Sequence, residues 1–410
     1  MENCFMKEIT FIHAADLHLD SPMTGLSHLP KDIFERLKDS SFAALKKIVD
    51  AAIQYHVDFI ILAGDLFDEQ DRSIRAQTRL RKEMERLSAH GIQVYAVHGN
   101  HDHLNGTWVR LDMPKNVHIF GEQVEVKAFT KSNAVTHLYG FSYDKRHVME
   151  NRIPEYNKKD GADFHIGILH GHHEGTSNHR AYAPFRLKEL IEKNFDYWAL
   201  GHIHKSAILH ENPYVIYPGN IQGRNKKETG KKGCYLVTMN QLETKLEFID
   251  TASIQWEQLV LNGQEVNQFQ ELYVLCQRAI EEKRLPGKGI LLSIVLQNIQ
   301  LDEKELTSVR NGDLLQALQE DEREEDSFVW PIKIEVEQSF TWDRSQLEQE
   351  SEFYAELFRA SDDMENITGS ISQLFEHPVA GKLLPPLSEK EKQELKNGAL
   401  HTLVSLLHKN

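Results

Sequence analysis

Five short polar motifs in this chain carry side chains of the types that bind divalent metal ions, and each follows an apolar run of strand length. The motifs have the patterns D-x-H, G-D, G-N-H-D, H-G and G-H-x-H, in that order along the chain. Their polar residues are Asp16, His18, Asp65, Asn100, His101, Asp102, His170, His202 and His204. One histidine after a strand is more often an ordinary hydrogen-bonded residue, but five such motifs in one chain indicate a shared metal site.

A pair of ions explains the mixture of carboxylates, imidazoles and one amide. Two ions about 3.5–4 Å apart clamp the attacking and leaving oxygens of an in-line displacement. Because two cations at that distance repel, an anionic ligand must lie between them, and we predict that Asp65 is this bridge. The other predicted ligands are Asp16, His18 and His204 for one ion and Asn100, His170 and His202 for the second. Oxygen and nitrogen ligands without thiolate favour Mn, Fe or Zn over Ca or Cu(I).

His101 follows Asn100 directly and has no room on the same ion. We therefore predict that it acts as an acid or an electrostatic group near the leaving oxygen. A carboxylate must orient its ring, and the sequence leaves Asp68 and Asp102 as alternatives. The stretch HGHHEG at 170–175 offers three histidines. His170 is preferred as the ligand because it ends the strand, and His172 and His173 remain alternatives.

Apolar runs alternate with amphipathic segments along the first 250 residues, which is typical of an α/β fold with mostly buried strands. Helical spacing of apolar residues predicts helices at 33–55 and 73–90, and DFIILAG at 58–64 is a strand-length apolar run. In open α/β sheets, ligands bind beyond the carboxyl ends of the strands. The five motifs would therefore converge although they are far apart in the sequence.

The composition changes near residue 250. The later predicted elements are a helix at 268–282, a strand at 289–297, a short helix at 313–319, a strand at 328–338 and helices at 346–359, 364–375 and 389–408. We predict a catalytic domain at 1–250, a small α/β domain at 251–340 and an acidic helical region at 341–410.

The charge is divided unevenly between these parts. Residues 1–250 contain 32 Lys and Arg against 33 Asp and Glu, whereas residues 251–410 contain 15 against 29. The net charge of −15 is therefore a poor guide to what the first part binds. The 3 cysteines, Cys4, Cys234 and Cys276, are widely spaced. This spacing excludes a disulfide framework and favours a reducing cytoplasm, and no apolar run is long enough for a membrane span.

The motifs resemble those of the calcineurin-like metallophosphoesterase superfamily, position by position. GDLFD at 64–68, with FIHAADLHLDSP, LYGFSY, WALGHIHK and YPGNIQGR, is similar to the SbcD-type nuclease branch and most of all to YhaO-type bacterial exonuclease relatives. The resemblance implies two packed mixed β-sheets flanked by helices, with a small α/β capping domain and a helical C-terminal region. It also implies a manganese-dependent nuclease, with Fe, Zn or Mg as alternative metals. Archaeal and eukaryotic relatives often carry histidine where this chain has Asp68.

The resemblance further implies two partners, DNA and an SMC-like (SbcC-type) ATPase docked on C-terminal helices. The glycine-containing loop GRNKKETGKKG at 223–233 is our candidate DNA contact. Its basic residues are Arg224, Lys226, Lys227, Lys231 and Lys232. The helical pattern at 344–408 fits docking of the ATPase or packing as an ordinary helical subdomain. A homodimer is kept as an open alternative.

Three functions are compatible with these features. The first is a metal-dependent DNA nuclease, acting in DNA repair by in-line attack of a metal-bound hydroxide. The second is a phosphoesterase of small nucleotides or other phosphodiesters, which would not need the C-terminal additions. The third is a weakly catalytic scaffold that binds an ATPase, which the complete ligand set disfavours.

Overall fold

The computed structural model describes most of the chain in two compact units, residues 1–336 and 337–410. The described residues are 7–23, 25–26, 28–68, 72–106, 109–131, 134–175, 182–323, 325–337, 344–362, 367–376 and 387–408. Within them, no helix has the length and apolar character needed to cross a membrane.

Strands dominate the first unit. In chain order they are β1 (Glu8–Ala14), β2 (Phe59–Ala63), β3 (Gln93–Val97), β4 (Val117–Ile119), β5 (Glu125–Lys131), β6 (Ala134–Gly140), β7 (Phe164–His170), β8 (Tyr197–Gly201), β9 (Ala207–Glu211), β10 (Tyr214–Tyr217), β11 (Gly233–Asn240), β12 (Thr244–Asp250), β13 (Ile254–Asn262), β14 (Gly289–Gln297) and β15 (Val329–Glu337).

Helices occur in both units. Those of the first unit are α1 (Lys31–Gln54), α2 (Ile74–Ala89), α3 (Leu187–Glu192), α4 (Phe269–Lys283), α5 (Glu303–Asn311) and α6 (Asp313–Asp321), with a 3₁₀ turn at Ile153–Glu155. Those of the second are α7 (Arg344–Glu350), α8 (Glu352–Asp362), α9 (Ile367–Ser370), α10 (Ser372–Glu376) and a last helix at Glu389–His408.

The strands of the first unit form three sheets. The first sheet has the order β12-β11-β1-β2-β3-β4, the second β5-β6-β7-β8-β10-β9 and the third β13-β14-β15. In each large sheet the inner strands are parallel, whereas β11, β12, β5 and β9 are antiparallel to their neighbours. Both large sheets are therefore mixed.

The two large sheets share one core. Phe59 and Ile61 of β2 pack in the same buried cluster as Ile166 of β7 and Tyr197 of β8. On the other face of the first sheet, α1 and α2 bury a second cluster that includes Leu45 and Leu80. Strands covered on both faces need continuous apolar sequences, and this explains their pattern. The predicted fold, two mixed sheets flanked by helices, is confirmed.

Parallel pairing brings the carboxyl ends of the inner strands to one edge. Ala63 at the end of β2 pairs with Val97 at the end of β3. In the second sheet, His170 at the end of β7 pairs with Gly201 at the end of β8. The five motifs begin at or just after these ends, so the fold brings them together.

The helix predictions differ from the structure mainly at helix ends. The helix predicted at 73–90 is α2, and Ser73 is its N-cap, accepting a hydrogen bond of 2.9 Å from the backbone N–H of Ala76. The single helix predicted at 346–359 is two helices, α7 and α8, separated at Ser351. The helix predicted at 364–375 begins outside the described residues. The division into domains at residues 250 and 340 stays a prediction.

Candidate metal centre

The structure brings together side chains from all five motifs at neighbouring strand ends of the two large sheets. Two groups of predicted ligands have ligand atoms within 4.8 Å of one another, namely Asp16, His18 and His204, and Asp16, Asp65 and His170, and a third such group joins His18 to Asp68 and His101. Asn100 joins the second group, with its Oδ1 3.2 Å from His170 Nε2. The backbone N–H of His202 donates to both carboxylate oxygens of Asp16 at 3.1 Å, and the His202 ring lies 5.3 Å from that of His170.

Asp65 lies between the two groups. Its Oδ2 is 3.8 Å from His18 Nε2 and 3.4 Å from His170 Nε2, and its Oδ1 accepts a hydrogen bond of 2.9 Å from the backbone N–H of His101. One carboxylate oxygen therefore faces a histidine from each group. This position suits the predicted bridge, although it is Asp16 that belongs to both groups.

Hydrogen bonds fix which nitrogen of two imidazoles faces the centre. His170 Nδ1 lies 2.9 Å from the carbonyl oxygen of Ala63, and His204 Nδ1 lies 2.8 Å from Glu228 Oε1. Because these oxygens can only accept, each Nδ1 carries a hydrogen, and Nε2 is the nitrogen that each imidazole turns toward the centre. The Nε2 atoms of His204 and His18 face each other at 3.1 Å.

This donor set fits a pair of divalent ions. It combines two buried carboxylates, an amide and four imidazoles, and it contains no thiolate. Nδ1 of His18 is buried and has no hydrogen-bond partner among the described residues. Burial, and then the charge of Arg224, hold the pKa of His18 well below its usual value. His18 is therefore neutral, as a metal ligand must be.

Four of the predicted ligands have a left-handed backbone. The φ angles are 51° at Asp16, 41° at His18, 49° at Asp65 and 102° at His202. Residues other than glycine rarely adopt these backbone angles, and each residue that does so destabilises the folded state by about 1–3 kcal/mol. The unfavourable conformations coincide with the residues that face the centre, which supports a functional reason for them.

Gly99 gives the centre its room. A Cβ atom at this position would overlap Asp65 Oδ1 and would lie 2.6 Å from His170 Nε2. The glycine in G-N-H-D is therefore needed because the backbone of this turn passes directly against two predicted ligands.

Gly99→Ala should weaken metal binding while leaving the protein folded. The added methyl group would displace Asp65 and His170, and we expect metal affinity to fall by about 10–100-fold, as for other changes that misplace ligands. Calorimetric titration with Mn²⁺ measures this. Gly121→Ala is the matched control, because the nearest atom to its Cβ would be 3.9 Å away. Equal affinities in the two variants would contradict this account of Gly99.

Asp68, and not Asp102, is the carboxylate beside His101. Asp68 Oδ1 lies 3.0 Å from His101 Nδ1. Asp102 is completely buried and accepts hydrogen bonds from the backbone N–H groups of Leu66 and Gly99 and from His98 Nδ1. The prediction of Asp102 as an alternative partner of His101 is therefore corrected: its oxygens shape the turn and face away from that ring.

Comparison with known proteins defines the family. The calcineurin-like phosphoesterase model matches residues 9–206. The uncharacterized metallophosphoesterase YhaO of Bacillus subtilis (strain 168) is 42% identical over 96% of this chain and 97% of its own length. This chain belongs to the calcineurin-like metallophosphoesterase family.

Weaker relatives share only part of the chain. The DNA double-strand break repair protein Mre11 of Thermoplasma acidophilum is 25% identical over 59% of this phosphoesterase and 65% of its own length. A dimetal phosphatase from Danio rerio superposes with a TM-score of 0.34 and 12% identity, covering 58% of this chain and 98% of its own. The family assignment rests on the sequence matches.

The stretch HGHHEG at 170–175 of this phosphoesterase contains three histidines, and His170 is the one that lies among the predicted ligands. Burial lowers the pKa of His170, but the neighbouring Asp65 outweighs it and raises that pKa to about 9. Burial also tends to raise the pKa of Asp65, and His170 holds it well below its usual range instead. Each of these two side chains thus favours the charged form of the other. His172 is buried with its ring 6.1 Å from that of His202, and Phe185 packs against His173.

Two of the predicted DNA contacts lie inside the phosphoesterase site. Arg224 has a side chain only 16% exposed, with Nη1 3.2 Å from Asp68 Oδ2. Lys232 is buried, and its Nζ donates to the carbonyl oxygen of His204 at 2.8 Å. The structure places these two residues inside the site, whereas Lys226, Lys227 and Lys231 are exposed.

Sequence reasoning missed Glu228, which contacts a predicted ligand directly. It lies 24 positions after His204, in the basic loop, and no local pattern marks it. Burial tends to raise the pKa of Glu228, but its hydrogen bond with His204 and the charge of Arg224 hold that pKa well below its usual range. Glu228 is therefore ionised and can orient His204.

Proposed function

We propose that this metallophosphoesterase is a nuclease that hydrolyses phosphodiester bonds of DNA. The observation that carries the proposal is the convergence of seven ligand-type residues at neighbouring strand ends of the two large sheets, with His101 and its carboxylate partner beside them. The relatives named DNA double-strand break repair protein support the choice of DNA as substrate. We keep the cytoplasm as the predicted location because of the cysteine usage.

The residues have distinct proposed tasks. Two divalent ions, Mn²⁺ by preference, would be held by the seven predicted ligands and would polarise the phosphate group and generate the nucleophile. His101 would deliver a proton to the leaving oxygen, and Asp68 would hold its ring in place. The buried carboxylates Asp16 and Asp65 would balance the charge of the ions.

Incubation of purified protein with Mn²⁺ and end-labelled single- and double-stranded DNA tests the function, beside bis-p-nitrophenyl phosphate. Cleavage of DNA together with the small diester supports the proposal. Hydrolysis of the small diester alone would support a phosphodiesterase of small substrates. If neither were cleaved by metal-loaded protein, the scaffold alternative would replace it. The pattern of labelled products distinguishes exonuclease from endonuclease action.

DNA would approach over the exposed lysines of the 223–233 loop. Lys226, Lys227 and Lys231 are proposed to contact phosphates. Each such contact steepens the dependence of log affinity on log salt concentration by about 0.9 for duplex DNA. For Arg224 and Lys232 we propose supporting contacts within the site instead, because both are largely buried there.

We further propose that the second unit docks an SMC-like ATPase. Its last helix exposes Leu403 (43%), Leu406 (63%) and Leu407 (38%), which have the i, i+3, i+4 spacing of one apolar face. Such a face on an acidic helical unit suits a protein partner better than DNA.

Deleting residues 344–410 should leave the chemistry intact and remove ATPase binding. All predicted ligands lie before residue 205, so we expect two metal ions per chain and hydrolysis of the small diester within about twofold of the full chain. Metal analysis, turnover and co-purification with the ATPase measure these outcomes. A soluble, metal-containing truncation that still bound the ATPase would contradict the docking proposal.

A further inference from the structure

Arg224 joins two histidines of the site through two carboxylates. Its Nη1 lies 3.2 Å from Asp68 Oδ2, and the other oxygen of Asp68 lies 3.0 Å from His101 Nδ1. Its Nη2 lies 3.5 Å from Glu228 Oε1, the oxygen that is 2.8 Å from His204 Nδ1. One guanidinium therefore contacts the partner of the proposed acid and the partner of a predicted ligand, and its Nη2 also lies 3.3 Å from Nδ1 of His204 itself.

The carboxylates are held on several sides. Ser21 Oγ donates to Asp68 Oδ2 at 2.8 Å. Glu228 Oε2 accepts from Asn220 Nδ2 and from the backbone N–H of Arg224, both at 2.8 Å. The side chains of Arg224 and Asp68 are each 16% exposed and that of Glu228 is 12% exposed. Because these side chains are mostly buried, water screens their ion pairs and hydrogen bonds only weakly, and the network holds the carboxylates in fixed positions.

The chemistry of arginine suits this task better than that of lysine. A guanidinium is planar and presents several N–H donors in fixed directions, so it can hold two carboxylates at once. An ammonium group is a compact charge on a flexible chain. Arg224 Nε is buried and has no hydrogen-bond partner among the described residues. Because that N–H is shielded from solvent, we place the guanidinium in the frame of the site and not on the substrate.

We propose that Arg224 is a positioning residue that orients His101 through Asp68 and His204 through Glu228. The proposal rests on the phosphodiesterase function proposed above. If Arg224 were removed, Asp68 and Glu228 would lose their shared cation and could rotate. The imidazoles would then lose the partners that fix their orientation and their tautomer. Loss of such outer partners costs about 10–100-fold in metal affinity or activity.

The first experiment measures Mn²⁺ affinity by calorimetry on Arg224→Ala, Glu228→Gln and the double variant of the full chain. We expect each single variant to lose about 10-fold or more. If Arg224 acts through Glu228, the effects of the two substitutions on Mn²⁺ affinity should not add, because the residues are coupled. The double variant should then bind Mn²⁺ no more than about threefold less tightly than the single variant with the lower affinity. The proposal for His204 would be overturned if the losses of Mn²⁺ affinity in the two single variants multiplied in the double variant. It would also be overturned if the single variants bound Mn²⁺ within twofold of wild type.

The second experiment measures turnover of a thymidine dinucleotide at saturating Mn²⁺, because its alkoxide leaving group needs a proton. We expect Arg224→Ala to lower kcat by about 10–100-fold with little change in KM, because the proposed effect is on the acid. In an Asp68→Asn background the same substitution should add little. A raised KM with unchanged kcat and Mn²⁺ affinity would instead show a substrate contact and overturn the proposal.

Controls keep these outcomes distinct. Arg81→Ala removes an exposed arginine that pairs only with Glu85 on α2 among the contacts described, and it should match wild type in both measurements. Arg224→Lys keeps the charge and serves if the alanine variant does not fold; it should restore kcat only in part. The Mn²⁺ titration tests the effect of Arg224 on His204 even if the wild-type chain cleaves neither DNA nor the small diester. Failure of the proposed function is therefore recognised separately.

Discussion

Asp65→Asn should abolish phosphodiester hydrolysis and remove one or both metal ions while the protein remains folded. The substitution keeps the shape of the side chain but removes the negative charge that faces both His18 and His170. Two adjacent cations would then repel without a bridge. Metal-assisted stabilisation amounts to several kcal/mol, so we expect turnover to fall by about 10³-fold or more. Metal analysis, circular dichroism and turnover of bis-p-nitrophenyl phosphate measure the three outcomes.

Asp163→Asn is the matched control for this variant. Asp163 precedes β7 at the end opposite His170, where it pairs with Lys7. The same chemical change there should leave metal content and turnover unaltered. An Asp65→Asn protein with two ions per chain and normal turnover would refute the assignment of Asp65 as the bridge.

His101→Ala should separate the chemistry from metal binding. The ring of His101 pairs with Asp68, and only its backbone N–H contacts Asp65. Both ions should therefore remain, and turnover should fall by about 10²–10⁴-fold, the usual loss when a general acid is removed. Metal analysis beside steady-state kinetics on the same preparation distinguishes the two effects.

The outcome for His101 is checked against His90→Ala, an exposed histidine that follows α2. That variant should match wild type in both assays. If His101→Ala loses its metal instead, His101 is a ligand, and the division between ligands and acid must be redrawn. The assays thus test the role of His101 independently of the DNA substrate.

The convergence of the motifs was predictable because it depends on strand ends. Asp65 follows β2 by two residues, and His170 is the last residue of β7. An apolar run shows where a buried strand stops, and parallel pairing places such stops at one edge. The helix α2 was predictable for a similar reason, since Ser73 caps its first turn. Local patterns therefore gave the frame of the site.

The supporting contacts depend on how distant loops pack, which no local pattern records. Arg224 and Asp68 are 156 positions apart, yet their side chains meet. Lys232 belongs to the same basic run as Lys231, but one is buried and the other exposed. The break between α7 and α8 at Ser351 has no proline or glycine to announce it. In each case tertiary packing overrides the meaning of the sequence pattern.

The two large sheets contribute different kinds of ligand, and this has a thermodynamic consequence. The first sheet supplies Asp16, His18, Asp65 and Asn100, and therefore both carboxylates, whereas the second supplies only the imidazoles of His170, His202 and His204. Metal bound by these residues would link one layer to the other and would bind only when both are formed. Mass action then ties the unfolding equilibrium to free metal, by about 2.7 kcal/mol for a site at one hundred times its dissociation constant. A chelator should therefore loosen the contact between the layers, and the metal supply of the cell would set how firmly they are held together.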